Sequence, residues 1–134
     1  MKIDGAKGAP VTRVELSEFF EQPAYVDIRV ISPYGKALLR EIAMESFEVG
    51  ELDAKGKTAD VKANLKGSAD REMRSRDVKL QYTFVGTNIM SEGQPAAWTK
   101  PLWDALDEVN PAILQKLIDA IDVQSGFSED KDPT

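Results

Sequence analysis

The clearest pattern of apolar and polar positions lies near the C-terminal end of the chain, between Trp98 and Ile121. Apolar residues recur there at intervals of three and four, which is the spacing of one face of an α-helix. The pattern restarts at Asn110-Pro111, where Asn can cap the free N–H groups of a helix and Pro fits its first turn. We therefore predict a helical hairpin. Its apolar positions are Leu102, Trp103, Leu106 and Val109 in the first helix and Ile113, Leu114, Leu117, Ile118 and Ile121 in the second.

The N-terminal segment begins with residues typical of a flexible chain and continues with a short apolar pattern. Residues 1–12 are rich in Gly, Ala and Lys and contain Pro10, so we expect a loose arm. Thr12 or Ser17 can then cap a short helix, which Gln22-Pro23 would end. The apolar residues of this predicted helix are Val14, Leu16, Phe19 and Phe20.

A strand and a longer helix are predicted next. Between Ala24 and Ile31, β-branched residues alternate with charged ones, which is typical of a half-buried strand. Ser32-Pro33 predicts the start of a helix that continues to about Val49, because Ser is a good cap and Pro suits the first turn. Gly35 weakens that first turn without preventing it. The apolar residues at helical spacing are Leu38, Leu39, Ile42, Ala43 and Phe47.

The middle of the chain has a weaker pattern. Residues 50–76 are poor in apolar side chains and rich in Lys and Arg, so we expect a long mobile loop or an extension with little core of its own. Residues 77–90 fit two elements, because 78–84 alternate as a strand does while a helical stripe also runs through the segment. Its composition favours the strand and its length favours the helix. A turn is predicted at 91–95, Ser-Glu-Gly-Gln-Pro.

Together these segments predict a single domain of the α+β class, mainly α. It combines one or two short N-terminal strands, four or five helices and the C-terminal helical hairpin. A chain of 134 residues is long enough to bury one ordinary core without a metal or a disulfide. Residues 124–134 are acidic and polar, so we expect them to form a disordered tail.

Composition argues against several kinds of chemistry. The chain has no Cys and no His, which removes thiol nucleophiles, thiolate metal sites and the commonest general base. We therefore expect a protein without catalytic activity, and no residue stands out as catalytic, metal-binding or cofactor-binding. No apolar run is long enough to span a bilayer and the N-terminal residues lack an apolar signal core, so an intracellular location is expected.

Charge is divided unevenly along the chain, whose net charge is −6. Residues 53–79 carry eight positive and five negative side chains, a net charge of +3, whereas residues 92–134 carry three positive and nine negative ones, a net charge of −6. The simplest interpretation is solvated charge on a loop and an acidic tail. Opposite charges also suit head-to-tail contact between copies. Nucleic-acid binding is not favoured, because the basic residues of 71–79 lack aromatic neighbours for base stacking.

Two further groups of residues could carry a more specific role. Asp104, Asp107 and Glu108 could gather carboxylates around a metal ion, but they oppose the apolar stripe and are expected to be solvated. Trp103 lies on that stripe and is expected in the core. Trp98 precedes the helix, so it could be either packed or an exposed binding anchor.

The order of these parts resembles that of the tail assembly chaperones of long-tailed bacteriophages, the family of the lambda G protein. In that family a strand-like segment leads into a helix, as residues 25–31 and 32–49 do here. A polar, variable middle is followed by an apolar helix, a short Glu-Gly turn and a terminal pair of amphipathic helices. The corresponding parts here are residues 78–90, 91–95 and 99–121. The resemblance covers residues 24–122 and is one of layout, without an invariant motif.

The resemblance implies a non-catalytic protein of the host cytoplasm that coats the tape measure protein, helps recruit tail tube subunits and is absent from the mature virion. It also implies a spiral of copies around the tape measure protein and a longer frameshifted product that shares this N-terminal part. Apolar grooves would cover helical segments of the partner. The candidate contact residues are Phe19, Phe20, Trp98 and Leu102 for the partner, and Arg71, Arg74 and Arg76 between subunits.

Two other functions remain open from the sequence. A structural head-tail or tail component would use similar elements but would stay in the virion. A small regulator could bind nucleic acid through residues 55–79. A protein that acts by binding rather than by catalysis is expected in each case.

Overall fold

In the computed structural model of the chain, the described residues are 4–5, 7–53 and 61–127, and residues 46–53 and 61–66 are described by their backbone alone. Contacts among the residues divide the chain into two compact units. The first unit combines Met1–Val30 with Thr83–Thr134, and the second is the intervening Ile31–Tyr82. The single domain expected from the sequence stays a prediction.

Three antiparallel strands form the sheet of the first unit. They are β1 (Val11–Glu15), β2 (Tyr25–Arg29) and β3 (Phe84–Thr87), and they lie in the order β1-β2-β3. Val14 pairs with Val26 across β1 and β2, and both side chains are buried. One face of the sheet is therefore apolar and has to be covered by another element.

The opposite face of the sheet carries a charged pair at the centre of its register. Arg13 on β1 lies directly opposite Asp27 on β2 and donates hydrogen bonds of 2.9 and 3.2 Å to its two carboxylate oxygens. The same guanidinium lies 3.7 Å from the ring centroid of Tyr25. The hydrogen bond to Asp27 raises the pKa of Arg13 above its ordinary value. This pair fixes the register of β1 against β2 with an opposite-charge cross-strand contact.

The apolar face of the sheet is covered by the predicted helical hairpin, which consists of α3 (Lys100–Val109) and α4 (Pro111–Ser125). α3 packs against α4, and α4 lies against β2. The hairpin confirms the predicted helices, although Val109 at the end of α3 is 73% exposed rather than part of the apolar face. The buried apolar residues of the first unit are Val14, Leu16, Ala24, Val26, Ile28, Ile89, Trp103, Leu106, Ile113, Leu114, Leu117 and Ile121.

Asn110 joins the two helices as the sequence predicts. Its side-chain Oδ1 accepts a hydrogen bond of 3.0 Å from the N–H of Ala112 in the first turn of α4. Its own N–H donates to the carbonyl of Leu106 at the end of α3. One residue therefore ends the first helix with its backbone and caps the second with its side chain.

We expect Asn110→Ala to lower the free energy of unfolding by about 1 kcal/mol, because the cap acceptor is lost while the backbone bond to Leu106 is kept. Asn110→Ser keeps a cap acceptor and is the matched control, with an expected change of a few tenths of a kcal/mol, on the order of experimental error. Urea unfolding of both variants checks the effect. Equal losses for Ala and Ser would show that the side-chain cap contributes nothing.

Between β3 and α3 the chain forms a short β-hairpin with a two-residue loop, at the turn that the sequence predicts. Its strands are β4 (Met90–Ser91) and β5 (Gln94–Pro95), which are antiparallel. Glu92 and Gly93 form the loop with φ of 52° and 76°. Positive φ at both central positions is the geometry of a type I′ turn, which Gly adopts without steric cost.

The second unit is a pair of helices, α1 (Pro33–Asp53) and α2 (Val61–Gln81), which pack against each other. Ser32 caps α1 as predicted, since its Oγ accepts a hydrogen bond of 3.2 Å from the N–H of Gly35. The two ends of the unit meet where the N–H of Ser32 donates to the carbonyl of Tyr82 at 3.4 Å. The ring of Tyr82 also contacts Tyr34 edge to face, with centroids 5.4 Å apart.

One prediction for the N-terminal segment is wrong, and a second changes at its boundary. The predicted helix starting at Thr12 or Ser17 is instead β1 followed by a single 3₁₀ turn at Ser17–Phe19. Residues 13–16 also alternate in polarity, and pairing of β1 with β2 satisfies backbone hydrogen bonds of the segment, so tertiary contact selected the strand. The predicted loose arm loses its last two residues to β1, and its residues 1–3 and 6 lie outside the described ranges. The predicted strand at 24–31 is confirmed in its centre and ends at Arg29.

The middle of the chain also differs from expectation. The predicted loop at 50–76 is helical at both of its ends, because α1 reaches Asp53 and α2 starts at Val61, while residues 54–60 lie outside the described ranges. A polar helix has little periodic signal of its own and is stabilised here by packing on α1. Residues 77–90, whose pattern fits both a strand and a helix, contain part of each. The helix α2 ends at Gln81, and the strand β3 starts at Phe84.

The predicted disordered tail is wrong for its first two residues. Residues 124 and 125 belong to α4, and residues 128–134 lie outside the described ranges. Across the described residues the helices outweigh the strands, and the strands form one three-stranded sheet and one small hairpin. The fold class is therefore α+β and mainly α, as predicted.

Candidate functional site

The structure distributes the seven predicted contact residues over both units. Phe19, Phe20, Trp98 and Leu102 belong to the first unit, and Arg71, Arg74 and Arg76 belong to the second.

Phe19 and Phe20 line an apolar groove of about 400 Å³ in the first unit, which we call the aromatic groove. Both rings are only half-buried. Ile89 supplies a buried wall and Met90 an exposed one, with 57% of its surface accessible. Among the described residues, the lining is Phe19, Phe20, Glu21, Gln22, Pro23, Ala24, Asn88, Ile89 and Met90.

The two walls of the aromatic groove are held together by Asn88. Its Oδ1 accepts a hydrogen bond of 2.8 Å from the N–H of Tyr25, and its Nδ2 donates one of 2.9 Å to the carbonyl of Pro23. Thr87 adds a bond of 2.7 Å from its Oγ1 to the carbonyl of Tyr25. Ser17 Oγ fixes the other end by accepting a bond of 3.1 Å from the N–H of Ala24. The groove is therefore preformed by polar bonds behind an apolar surface.

Trp98 is half-buried and part of an aromatic stack. Its ring lies 4.5 Å from that of Phe84 at an interplanar angle of 9°, and 6.1 Å from that of Trp103 at 69°. Trp103 is buried, as predicted. These offset and edge-to-face contacts stabilise the packing of α3. Trp98 is thus anchored in the first unit and keeps one part of its surface accessible, and Leu102 is half-buried as well.

The basic residues of the second unit are paired within it. Arg74 donates a hydrogen bond of 2.7 Å from Nη2 to Glu45 on α1 and one of 2.9 Å from Nε to Asp70 on α2. The bond to Glu45 raises the pKa of Arg74 above its ordinary value, and Asp70 adds to the effect. Arg76 binds the neighbouring carboxylate of Asp77 at 2.8 Å. Arg71 is half-buried. Much of the positive charge expected to bridge subunits is therefore balanced locally.

A second groove, of about 530 Å³, lies between the two helices of the second unit. We call it the α1–α2 groove. Its apolar lining is Leu38, Ile42 and Val78, and its charged lining is Glu41, Glu45, Arg74 and Asp77. The sequence marks Leu38 and Ile42 as apolar helix positions, but it gave no sign of this groove because the opposing helix was expected to be a loop.

The carboxylates that were considered for metal binding do not form a cluster. Asp104 is bound to Lys100 one turn earlier at 3.3 Å. Among the residues that the structure describes, no group of three or more acidic side chains is arranged to hold a metal ion. None of the helices in the described part of the chain combines the length and the apolar character that crossing a bilayer requires.

Comparison of the chain with protein-family models, with curated proteins and with solved structures found no match. No relative therefore contributes to the assignment of function.

Proposed function

We propose that this protein is a non-catalytic assembly chaperone for the tails of long-tailed bacteriophages. It binds helical, apolar segments of the tape measure protein in the host cytoplasm and helps recruit tail tube subunits to them. Copies associate around the tape measure protein, and the chaperone leaves before the virion is complete. Covering an exposed apolar stripe prevents the aggregation that such a stripe otherwise promotes.

The aromatic groove is the observation that supports this proposal most directly. Phe19, Phe20 and Met90 keep apolar surface accessible in a groove whose walls are fixed by hydrogen bonds. Aromatic and Met side chains are enriched where proteins bind apolar partners, because they offer a large contact area and adapt to different shapes. A fixed groove also costs less ordering entropy on binding than a flexible one.

The order of elements is a second support. The strand β2 leads into the helix α1, and the Glu92-Gly93 turn precedes the paired helices α3 and α4. The same order of parts carries the resemblance to the tail assembly chaperones. One departure is that residues 78–90, which correspond to the apolar helix of that layout, are helical only as far as Gln81 and then enter β3.

Co-expression with the tape measure protein from the same genome tests the proposed function. We expect the tape measure protein to become soluble and to co-purify with this chain. A tape measure protein that stays insoluble and does not co-purify would contradict the proposal. Mass spectrometry of purified virions separates a chaperone, which is absent from them, from a structural component of the tail.

The aromatic groove is tested in the same assay with the double variant Phe19→Ala and Phe20→Ala. We expect the recovered tape measure protein to fall by roughly tenfold or more, since an aromatic anchor commonly contributes about 2 kcal/mol to binding and about 1.4 kcal/mol corresponds to a tenfold change in affinity. Phe127→Ala removes a ring that is 42% exposed and not part of the groove, so it should retain binding. If both variants lose binding equally, or neither does, the aromatic groove is not the contact surface.

A further inference from the structure

The α1–α2 groove exists because a pair of helices leaves part of its apolar surface uncovered. The apolar positions of α1 must be buried against another element, and the single neighbouring helix α2 covers only the seam between the two. Leu38 and Val78 are half-buried, and Ile42 retains 9% of its surface. The three side chains therefore form an apolar strip beside the seam, on which one further helix could lie.

The charge around this strip selects among possible occupants. Three carboxylates and one guanidinium group line it, which gives the lining a net charge of −2. The charged lining is Glu41, Glu45, Asp77 and Arg74. Two of these carboxylates are already paired, since Arg74 binds Glu45 and Arg76 binds Asp77. The third carboxylate, Glu41, is exposed and forms no hydrogen bond or ion pair with a residue in the described ranges.

We propose that the α1–α2 groove binds an amphipathic helix of a partner protein that carries Lys or Arg beside its apolar stripe. The stripe covers Leu38, Ile42 and Val78, and the cation meets Glu41 at the edge of the groove. A second copy that presents the same groove across a two-fold axis is a poorer occupant, because that contact would bring like charges together. Binding here does not depend on the function proposed above or on the aromatic groove.

A designed peptide of leucine, alanine and lysine, about 18 residues long so that it can form a helix, is the probe. Its affinity for the full chain is measured by fluorescence anisotropy at low and at moderate salt. A second peptide has every Lys replaced by Glu and the same apolar stripe. We expect the Lys peptide to bind on the order of tenfold more tightly, with an advantage that shrinks as salt is added.

Variants of the chain separate the α1–α2 groove from the general negative charge of the protein. Glu41→Gln is expected to lower the affinity for the Lys peptide by about fivefold. Glu41→Lys is expected to lower that affinity by on the order of tenfold or more. Glu108→Gln removes the same charge from an exposed position on α3 and should leave the affinity unchanged. Because both positions are exposed, neither change disturbs the core.

Three outcomes would overturn the proposal. The two peptides could bind with equal affinity, which would remove the charge selection. Glu41→Gln and Glu108→Gln could weaken binding equally, which would place the peptide elsewhere on the chain. Sedimentation could show that the chain self-associates and that Glu41→Gln strengthens the association, which would make a second copy the occupant of the groove.

Discussion

Replacing Gly35 by Ala is expected to lower the free energy of unfolding by about 2 kcal/mol. Gly35 lies in the first turn of α1, where a helix normally gains about 0.5–1 kcal/mol from Gly→Ala. The position is buried, however, and an added Cβ would lie 2.8 Å from Cγ1 of Ile31 and 2.8 Å from Cβ of Tyr82. The overlap costs more than the gain in helix propensity.

The steric overlap is hard to relieve because one of the atoms involved, Cβ of Tyr82, cannot rotate away. Cβ of Tyr82 is attached directly to the backbone, so it can move only if the end of α2 moves. The N–H of Ser32 bonds to the carbonyl of Tyr82, and the Tyr82 ring contacts Tyr34. Ile31 is itself buried. A shift of Tyr82 would therefore disturb the place where the two ends of the second unit meet.

Gly67→Ala is the matched control for this prediction. Gly67 is in α2, and among the residues whose side chains are described an added Cβ there meets only Arg71, with Nη1 at 3.0 Å, and that side chain can rotate away. We expect this variant to gain about 0.5–1 kcal/mol. Urea unfolding followed by far-ultraviolet circular dichroism measures both changes. A Gly35→Ala variant at least as stable as the original chain would show that α1 does not approach Tyr82 so closely.

Leu117→Ala is expected to have the largest effect, a loss of about 3 kcal/mol. Leu117 lies at the centre of α4, which packs on β2, and its side chain is fully buried. Removing its methyl groups loses the transfer free energy of those atoms and leaves a cavity that the neighbouring helix and sheet cannot completely fill. The loss should appear in the first unit, to which α4 and β2 both belong.

Val109→Ala tests whether position in the structure, rather than the apolar pattern, sets the size of this effect. Val109 belongs to the predicted apolar stripe but is 73% exposed, so we expect a change within about 0.5 kcal/mol. Tryptophan fluorescence suits both variants, because the two Trp residues of the chain, Trp98 and Trp103, are both in the first unit. Similar losses at Leu117 and Val109 would contradict the packing of α4 on the sheet.

Much of the candidate site could not be predicted from local pattern. Phe19 and Phe20 were expected to contact a partner and do line a groove, but the other wall comes from Asn88, Ile89 and Met90, nearly seventy positions away in the chain. Phe84, which stacks on Trp98, carried no local signal for that contact. The paired state of Arg74 depends on Glu45 of another helix. Contacts between distant residues leave no periodic trace in a single sequence.

The sequence by itself determined the elements whose signals are local. The helical hairpin, its Asn110 cap, the Ser32 cap, the Glu92-Gly93 turn and the centre of β2 all follow from side chains and backbone preferences within a few residues. Tertiary structure alone determined that residues 11–15 form β1 and that residues 61–81 form α2. It also determined that Val109, the last position of the apolar stripe predicted for α3, is exposed. Strand pairing with β2 selected β1, and packing on α1 stabilised a polar helix, because these free energies come from residues that meet only in the folded chain.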